Sequence, residues 1–157
     1  MMDPKFAALV EALAPKLERL LAMQPVRLGA LPRDMPCSGV YLFTENGRHL
    51  YVGRSRNLRG RYGLHCRRSA TRDQASFAFQ LAREHTGRTT VSYKGDKDSR
   101  AGLMQDPVFA AAFSAAKQRV RAMDYRYVEE VDQIRQALLE IYCAVVLGTP
   151  YNDFGTH

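Results

Sequence analysis

The first apolar pattern of the chain is helical. Apolar side chains recur every three or four positions, which is the spacing of one face of an amphipathic helix. They are Phe6, Leu9, Val10, Leu13, Leu17, Leu20 and Leu21. Because proline disrupts a helix, we expect this one to be bent near Pro15. The turn-rich stretch "QPVRLGALPRDMPCSG" then connects it to the next element.

The pattern changes to that of a hairpin after Ser38. Val40 to Phe43 predicts a first strand and Leu50 to Val52 a second. Between them lies Asn46-Gly47, the strongest short-range signal for a tight hairpin turn.

Helical patterns follow the hairpin. Asn57 is a suitable cap for a helix from Leu58 to about Arg67. "RDQASFAFQLAREHTG" predicts another helix, stopped at Gly87, and residues 88–106 are predicted to be a loop. Pro107 to about Lys117 is again predicted to be helical.

The alternating stretch "RVRAMDYRYVEE" predicts a third strand. The last helix is expected from Val131 to Leu147, ending at Gly148. Together these elements predict a small α/β or α+β domain, in which helices cover one face of a three-stranded sheet. A length of 157 residues suggests a single domain.

Charge narrows the class of partner. The chain has 23 basic and 16 acidic residues, a formal net charge of +7, which indicates an anionic partner. Nucleic acid is the first choice and an acidic membrane surface the second. The three cysteines, Cys37, Cys66 and Cys143, form no CxxC pair and no Cys/His spacing typical of a zinc site. We therefore expect a reducing compartment and no structural zinc. No signal peptide or membrane-spanning run is recognisable, which predicts a cytoplasmic protein.

Arginines are concentrated after the hairpin, and no acidic residue lies between Arg54 and Asp73. They are Arg54, Arg56, Arg59, Arg61, Arg67, Arg68 and Arg72. A run of positively charged side chains without acidic neighbours favours phosphate binding. The alternative is a solvated helix face, although such faces usually mix both signs.

Asn57, Arg61 and His65 are spaced four residues apart and so share one side of the predicted helix. Arginine can bind phosphate oxygens bidentately, and histidine can move a proton near neutral pH. A lone histidine is more often structural.

Glu140 is the only charged residue between Arg135 and Asp153, in a stretch apolar enough to predict a buried helix. A buried carboxylate needs a partner. That partner could be an arginine in a structural salt bridge. It could equally be Mg²⁺, which suits a lone carboxylate because its other ligands are water and substrate phosphate.

Tyr41 and Tyr51 lie on the two hairpin strands. Most strand tyrosines fill a core or stabilise a sheet as aromatic pairs. A tyrosine can accept a proton only if its pKa is lowered, which cations such as Arg61 and a bound metal would do.

These residues together resemble the GIY-YIG nuclease family. "GVY" at Gly39 to Tyr41 and "YVG" at Tyr51 to Gly53 resemble its two name motifs, with Val40 and Val52 in place of isoleucine. "RNLRGRYGLH", "ALLEIY" and "TPYN" resemble the later signatures, which carry Arg61, His65, Glu140 and Asn152.

The resemblance implies a core at residues 38–154, with an insertion at about 69–118, preceded by an N-terminal helix and connector at 1–37. It also implies a metal-dependent endonuclease that uses one Mg²⁺ or Mn²⁺ ion bound by Glu140. Tyr41 would help deprotonate the attacking water, with His65 as a candidate relay, and Tyr51 would orient the site or contact the scissile phosphate. Arg61 would stabilise charge on the phosphate, and Asn152 would support the site.

The expected partner is nucleic acid, DNA rather than RNA, with no membrane and no small-molecule cofactor. The expected contacts are Arg54, Arg56, Asn57, Arg59, Arg67, Arg68 and Arg72. Two alternatives remain: a catalytically inactive nucleic-acid-binding module on the same fold, and a structural domain that binds a partner through its N-terminal helix.

Overall fold

The structure is a computed structural model that describes residues 1–27, 29–90, 92 and 95–155. The chain divides into two compact units. The first comprises Met1–Arg61 and Met123–His157, and the second comprises Tyr62–Ala122.

The chain enters the sheet after two short helices, α1 (Pro4–Glu11) and α2 (Leu13–Ala22). Strands β1 (Gly39–Glu45) and β2 (Arg48–Ser55) form the hairpin, and α3 covers Leu58–Cys66. Three helices follow, α4 (Ser76–Thr86), α5 (Arg100–Gln105) and α6 (Pro107–Ala122). Strand β3 (Asp124–Glu129) and helix α7 (Gln133–Leu147) complete the chain.

The sheet of the first unit is antiparallel and ordered β2-β1-β3, so the α+β class and the three-stranded sheet are confirmed. Its hairpin turn is the predicted one. Asn46 has a φ of 51° and Gly47 a φ of 77°. Positive φ at both central residues defines a type I′ turn, whose twist matches that of the flanking strands.

Both faces of the sheet are buried, whereas the sequence predicted one covered face. On the first face, β-strand residues such as Val40 and Leu42 pack with Leu17 of α2 and Leu139 of α7. On the second face, the aromatic side chains of Tyr41, Phe43 and Tyr125 are at most 1% exposed. We call this second layer the aromatic face.

The N-terminal helix is broken at Ala12 rather than bent at Pro15. Proline cannot donate to the carbonyl four residues earlier, and its ring clashes with that carbonyl. For Pro15 that carbonyl belongs to Glu11, the last residue of α1. Pro15 therefore sits in the first turn of α2, where its missing N–H costs nothing.

Two predictions for the middle of the chain are wrong. The predicted loop at residues 88–106 contains α5, whose N-cap Ser99 accepts a hydrogen bond from the N–H of Gly102 at 3.0 Å. Residues 91, 93 and 94 of that stretch lie outside the described part. Helix α6 continues through "RVRA", which the sequence assigned to a strand.

Helix ends are closer to prediction. Gly87 and Gly148 end α4 and α7 with φ values of 72° and 64°.

The predicted burial of α7 on all sides is wrong, because the side chains of Ile141 and Val145 are exposed. Within the described ranges, no helix is long and apolar enough to cross a membrane.

The second unit has an aromatic core. The Phe79 ring of α4 contacts two rings of α6, with centroids 5.1 Å from Phe109 and 5.8 Å from Phe113. Lys117, also on α6, is buried and holds its ammonium 4.7 Å from the centre of the Phe113 ring.

Candidate active site in the first unit

Tyr41 occupies the central strand, and its side chain lies across Gly53 of β2. The two residues are Cα partners in the ladder. A Cβ added at Gly53 would come within 2.2 Å of the Tyr41 hydroxyl oxygen. The glycine of the "YVG" motif is therefore the residue that leaves room for the tyrosine of the "GVY" motif.

Arg61 reaches the same hydroxyl from α3. Its Nε donates a hydrogen bond to Tyr41 Oη at a distance of 3.4 Å. The start of α3 is fixed by two further bonds. The N–H of Leu58 donates to the Cys37 carbonyl at 2.8 Å, and the Asn57 side chain accepts from the N–H of Gly60 at 3.0 Å. The predicted cap is thus confirmed, and it positions the turn that carries Arg61.

The environment of Tyr41 raises its pKa, which is opposite to the direction that the sequence suggested. Burial is the largest cause, and the neighbouring Tyr51 adds to it. The charge and hydrogen bond of Arg61 lower the pKa but do not outweigh burial, and the nearby Glu140 carboxylate raises it further. In the protein alone, Tyr41 is therefore a neutral phenol at physiological pH.

Tyr51 lies beside Tyr41 on the neighbouring strand. The two ring centroids are 6.4 Å apart and the planes are inclined by 40°. Unlike Tyr41, Tyr51 is partly exposed. Tyr51 is therefore the more exposed of the two neighbouring tyrosines.

Glu140 enters from α7 and is partly buried. Burial raises the pKa of Glu140, while the Arg54 guanidinium and a hydrogen bond from the Arg54 backbone N–H lower it and offset burial in part. Among the described residues, no Lys, Arg or His nitrogen lies within 4.0 Å of this carboxylate. The structural salt bridge considered for Glu140 is therefore not formed in the described part of the chain.

The same carboxylate fits a hard divalent cation. Its oxygens are the ligand type that Mg²⁺ prefers, and it is not committed to a cationic side chain. Within the described ranges, no group of three or more His, Cys, Asp or Glu residues could hold a metal together. A Mg²⁺ site based on one carboxylate does not require such a group, because water and phosphate oxygens supply the other ligands.

Asn152 bonds to the backbone of β2. Its Oδ1 accepts from the N–H of Val52 at 2.8 Å, and its Nδ2 donates to the Val52 carbonyl at 2.6 Å. The Thr149 hydroxyl also donates to Oδ1 at 2.7 Å. Asn152 thus binds the outer edge of β2 at Val52, the residue between Tyr51 and Gly53. Its contacts are those of a residue that positions this strand.

The predicted nucleic-acid contacts divide between the units. In the first unit, Arg54, Arg56, Asn57 and Arg59 are exposed, and the guanidinium of Arg59 also donates to the Pro32 carbonyl. In the second unit, Arg67 and Arg68 are exposed. Arg72 is partly exposed and lies 3.9 Å from the Asp73 carboxylate.

His65 belongs to the second unit and is fully buried. It lies on α3 at the spacing predicted from Asn57 and Arg61. Its part in proton transfer stays a prediction.

One contributor to the site was not singled out from the sequence. Tyr125 of β3 is fully buried on the aromatic face, with its ring centroid 5.7 Å from that of Tyr41. Its hydroxyl donates to the Leu58 carbonyl at 3.3 Å, which ties β3 to the start of α3. The alternation of Tyr125 and Tyr127 in "DYRYVE" was the available signal.

Comparison with known proteins gave no relative. No family model matches the chain, and neither the curated proteins nor the solved structures contain a match.

Proposed function

We propose that this protein is a metal-dependent endonuclease of the GIY-YIG type, which hydrolyses phosphodiester bonds in nucleic acid, with DNA as the expected substrate. The observation that carries the proposal is a convergence within the first unit. Tyr41, Tyr51, Arg61 and Glu140 come from four different elements, and each of the other three influences the pKa of the Tyr41 hydroxyl. They are also the residues on which the motif resemblance rests.

Arg61 and the tyrosines suit the binding of a phosphodiester. Arg61 is a fixed positive charge whose position is set by the Asn57 cap and the Tyr41 hydroxyl. Such a preorganised cation stabilises the negative charge that develops on phosphate oxygens in the transition state. The partly exposed Tyr51 phenol can donate a hydrogen bond to the same phosphate.

Tyr41, as a buried and neutral phenol, is not suited to act as a strong base by itself. Its hydroxyl accepts a hydrogen bond from Arg61. Because the pKa of Tyr41 is raised, removal of a proton from the attacking water requires help from another group. Glu140 would hold the divalent cation, which supplies a Lewis acid for the departing oxygen when it is bound.

The experiment that tests this proposal is a cleavage assay on labelled single-stranded and duplex DNA and RNA, with Mg²⁺, Mn²⁺ or EDTA. Wild type is compared with Glu140→Gln, which keeps the shape of the side chain and removes its charge. We expect metal-dependent cutting by wild type and its loss in the variant, with nucleic-acid binding nearly unchanged. Persistent cutting by Glu140→Gln would show that another residue holds the metal.

A second pair of variants tests Arg61. Arg61→Ala should lose activity and little stability, whereas Arg61→Lys retains the charge without the planar fork of donors and should recover part of the activity. A large loss of folding stability in Arg61→Ala would assign Arg61 a structural role instead.

The enclosure of Tyr41 favours the second candidate, an inactive nucleic-acid-binding module. A phenol that is 1% exposed with a raised pKa is also what a purely structural tyrosine shows. Salt-sensitive binding without cutting of any substrate under any metal condition would select this candidate.

A further inference from the structure

The second unit carries a group of arginines that the site described above does not use. Arg67 and Arg68 follow the last turn of α3, and Arg121 lies in the last turn of α6. All three side chains are exposed. Among the described residues, no carboxylate lies within 4.0 Å of any of their guanidinium groups.

Lys117 joins α6, which carries Arg121, to the segment after α3, which carries Arg67 and Arg68. It is buried, and its ammonium donates to the Arg68 carbonyl at 2.6 Å and to the Ala70 carbonyl at 2.9 Å. These two carbonyls belong to the bend at residues 67–70, which follows α3. Residues four apart on a helix lie on the same face, so Arg121 lies one turn after Lys117 on the side of α6 that contacts this bend. The bend is also closed by its own backbone, because the N–H of Ala70 donates to the Arg67 carbonyl at 3.0 Å.

The Arg67 side chain lies back over Gly63 of α3, where the lack of a side chain leaves room for it. A Cβ added at Gly63 would lie 2.5 Å from Arg67 Nε. The buried thiol of Cys66 lies within the electrostatic reach of both Arg121 and Arg67. Two exposed cations, one just beyond α3 and one in the last turn of α6, thus act electrostatically on the same thiol.

These cations do not activate the thiol. Burial raises the pKa of Cys66 to about 11, even though Arg121 and Arg67 act to lower it. A protonated, buried thiol is a poor nucleophile near neutral pH. Since no carboxylate lies beside Arg67 or Arg121 in the described part of the unit, an external anion is the chemistry that their positive charge fits.

We propose that Arg67, Arg68 and Arg121 form a phosphate-binding cluster that holds the backbone of nucleic acid, with Lys117 as the positioning residue that fixes the bend. The proposal rests on the proposed function for the identity of the anion. It adds Arg121, from a segment that the sequence assigned to a strand, and it assigns a binding role to the second unit.

The test is the salt dependence of nucleic-acid binding in EDTA, where cleavage cannot occur. Full-length wild type, Arg67→Gln, Arg121→Gln and the double variant are titrated into labelled duplex DNA at several salt concentrations. Arg19→Gln is the matched control, because Arg19 is exposed on α2 and its replacement removes the same charge. Thermal unfolding of each variant verifies that the fold is retained.

Each cluster variant should weaken binding several-fold and reduce the slope of log K against log salt by about 0.9, the value for one duplex phosphate contact. The double variant should reduce the slope by roughly twice as much. Arg19→Gln should leave the slope unchanged. Equal effects of Arg19→Gln and Arg121→Gln would overturn the cluster, because net charge alone would then explain the loss.

The cleavage assay separates this proposal from the proposed function. Cluster-dependent binding without cleavage by wild type would contradict the endonuclease and retain the cluster. Normal cleavage with wild-type binding by Arg121→Gln would contradict the cluster alone. Absence of any binding by wild type would overturn the cluster whatever the cleavage assay gives.

Discussion

Tyr41 lies so close over Gly53 that no side chain can be added at residue 53 without moving the ring. The added Cβ would be 2.2 Å from the hydroxyl oxygen and 2.3 Å from the ring carbon that bears it. The two residues are paired in the ladder between β1 and β2. A glycine on one strand thus determines where the phenol on the next strand is placed.

Gly53→Ala should therefore destabilise the protein by about 1–3 kcal/mol, the usual cost of overpacking a buried site, and should displace Tyr41 from Arg61. Urea unfolding measures the change in the free energy of unfolding. The control is the same substitution in a Tyr41→Ala background, where the clash is absent and the cost should be much smaller. Equal costs in the two backgrounds would show that the strain lies elsewhere.

Tyr41 should not ionise in the pH range in which ordinary tyrosines do. Its pKa is raised, with burial as the first cause, so the folded protein retains the phenolic proton above pH ~10 while the unfolded chain loses it. Tyr41 therefore lowers the free energy of unfolding progressively as the pH rises above ~10. The near-ultraviolet absorbance of tyrosinate measures this directly.

Wild type and Tyr41→Phe should give the same absorbance titration until the protein unfolds in base. Wild type should then lose stability at alkaline pH more steeply than the variant. If the substitution removes a tyrosine that titrates near pH ~10 in the folded protein, Tyr41 is not enclosed as described.

Glu140→Gln should be more stable than wild type at neutral pH. The raised pKa, caused first by burial, means that the folded state disfavours the carboxylate compared with the unfolded chain. The penalty is absent at low pH, where the group is neutral in both states, and grows as the pH rises through the unfolded value of 4.5 towards the folded one. We expect a modest gain in stability at pH 7, because a residue retained for function often costs stability.

Thermal or urea unfolding of Glu140→Gln between about pH 4 and pH 7 checks this sign, with the advantage over wild type increasing with pH. Glu18→Gln, an exposed position on α2, removes the same charge and should show a smaller dependence. A variant that is less stable than wild type at neutral pH would indicate that Glu140 holds a stabilising contact.

Asn152→Ala should cost about 1–3 kcal/mol, because it leaves the N–H and carbonyl of Val52 without their side-chain partner. Asn152→Asp should fall between wild type and the alanine variant, since it can still accept from the N–H but cannot donate to the carbonyl. Unfolding in urea and amide hydrogen exchange at Val52 give the two readouts. Unchanged exchange at Val52 in Asn152→Ala would contradict the positioning role.

Local chemistry explains why several elements could be predicted. The Asn46-Gly47 turn, the Asn57 cap and the glycine ends of α4 and α7 each depend on residues adjacent in the chain. The third-strand prediction began too early for a similar reason. Four residues of alternation in "RVRA" are too short to identify a strand, whereas Phe109, Phe113, Ala116 and Val120 continue the helical period of α6 as its buried face.

The burial of α7 was mispredicted because apolar composition does not reveal which side of a helix has a partner. Leu139 and Cys143 pack into the core of the first unit, yet Ile141 and Val145 are exposed. Likewise, the direction of the Tyr41 pKa depends on whether burial or the charge of Arg61 is the larger effect. Only the packed structure settles that balance.

By itself the sequence determined the α+β class, the hairpin, the cap of α3 and the residue types that resemble a nuclease motif, since these depend on neighbours along the chain. The tertiary structure decided that Tyr41 lies over Gly53, that Glu140 is held by the Arg54 backbone and not by a salt bridge, and that Lys117 fixes the bend beside Arg121. The contact of Tyr41 with Gly53 depends on strand register, and the other two join segments far apart in sequence. Their geometry follows from how strands register and helices pack, which no local pattern encodes.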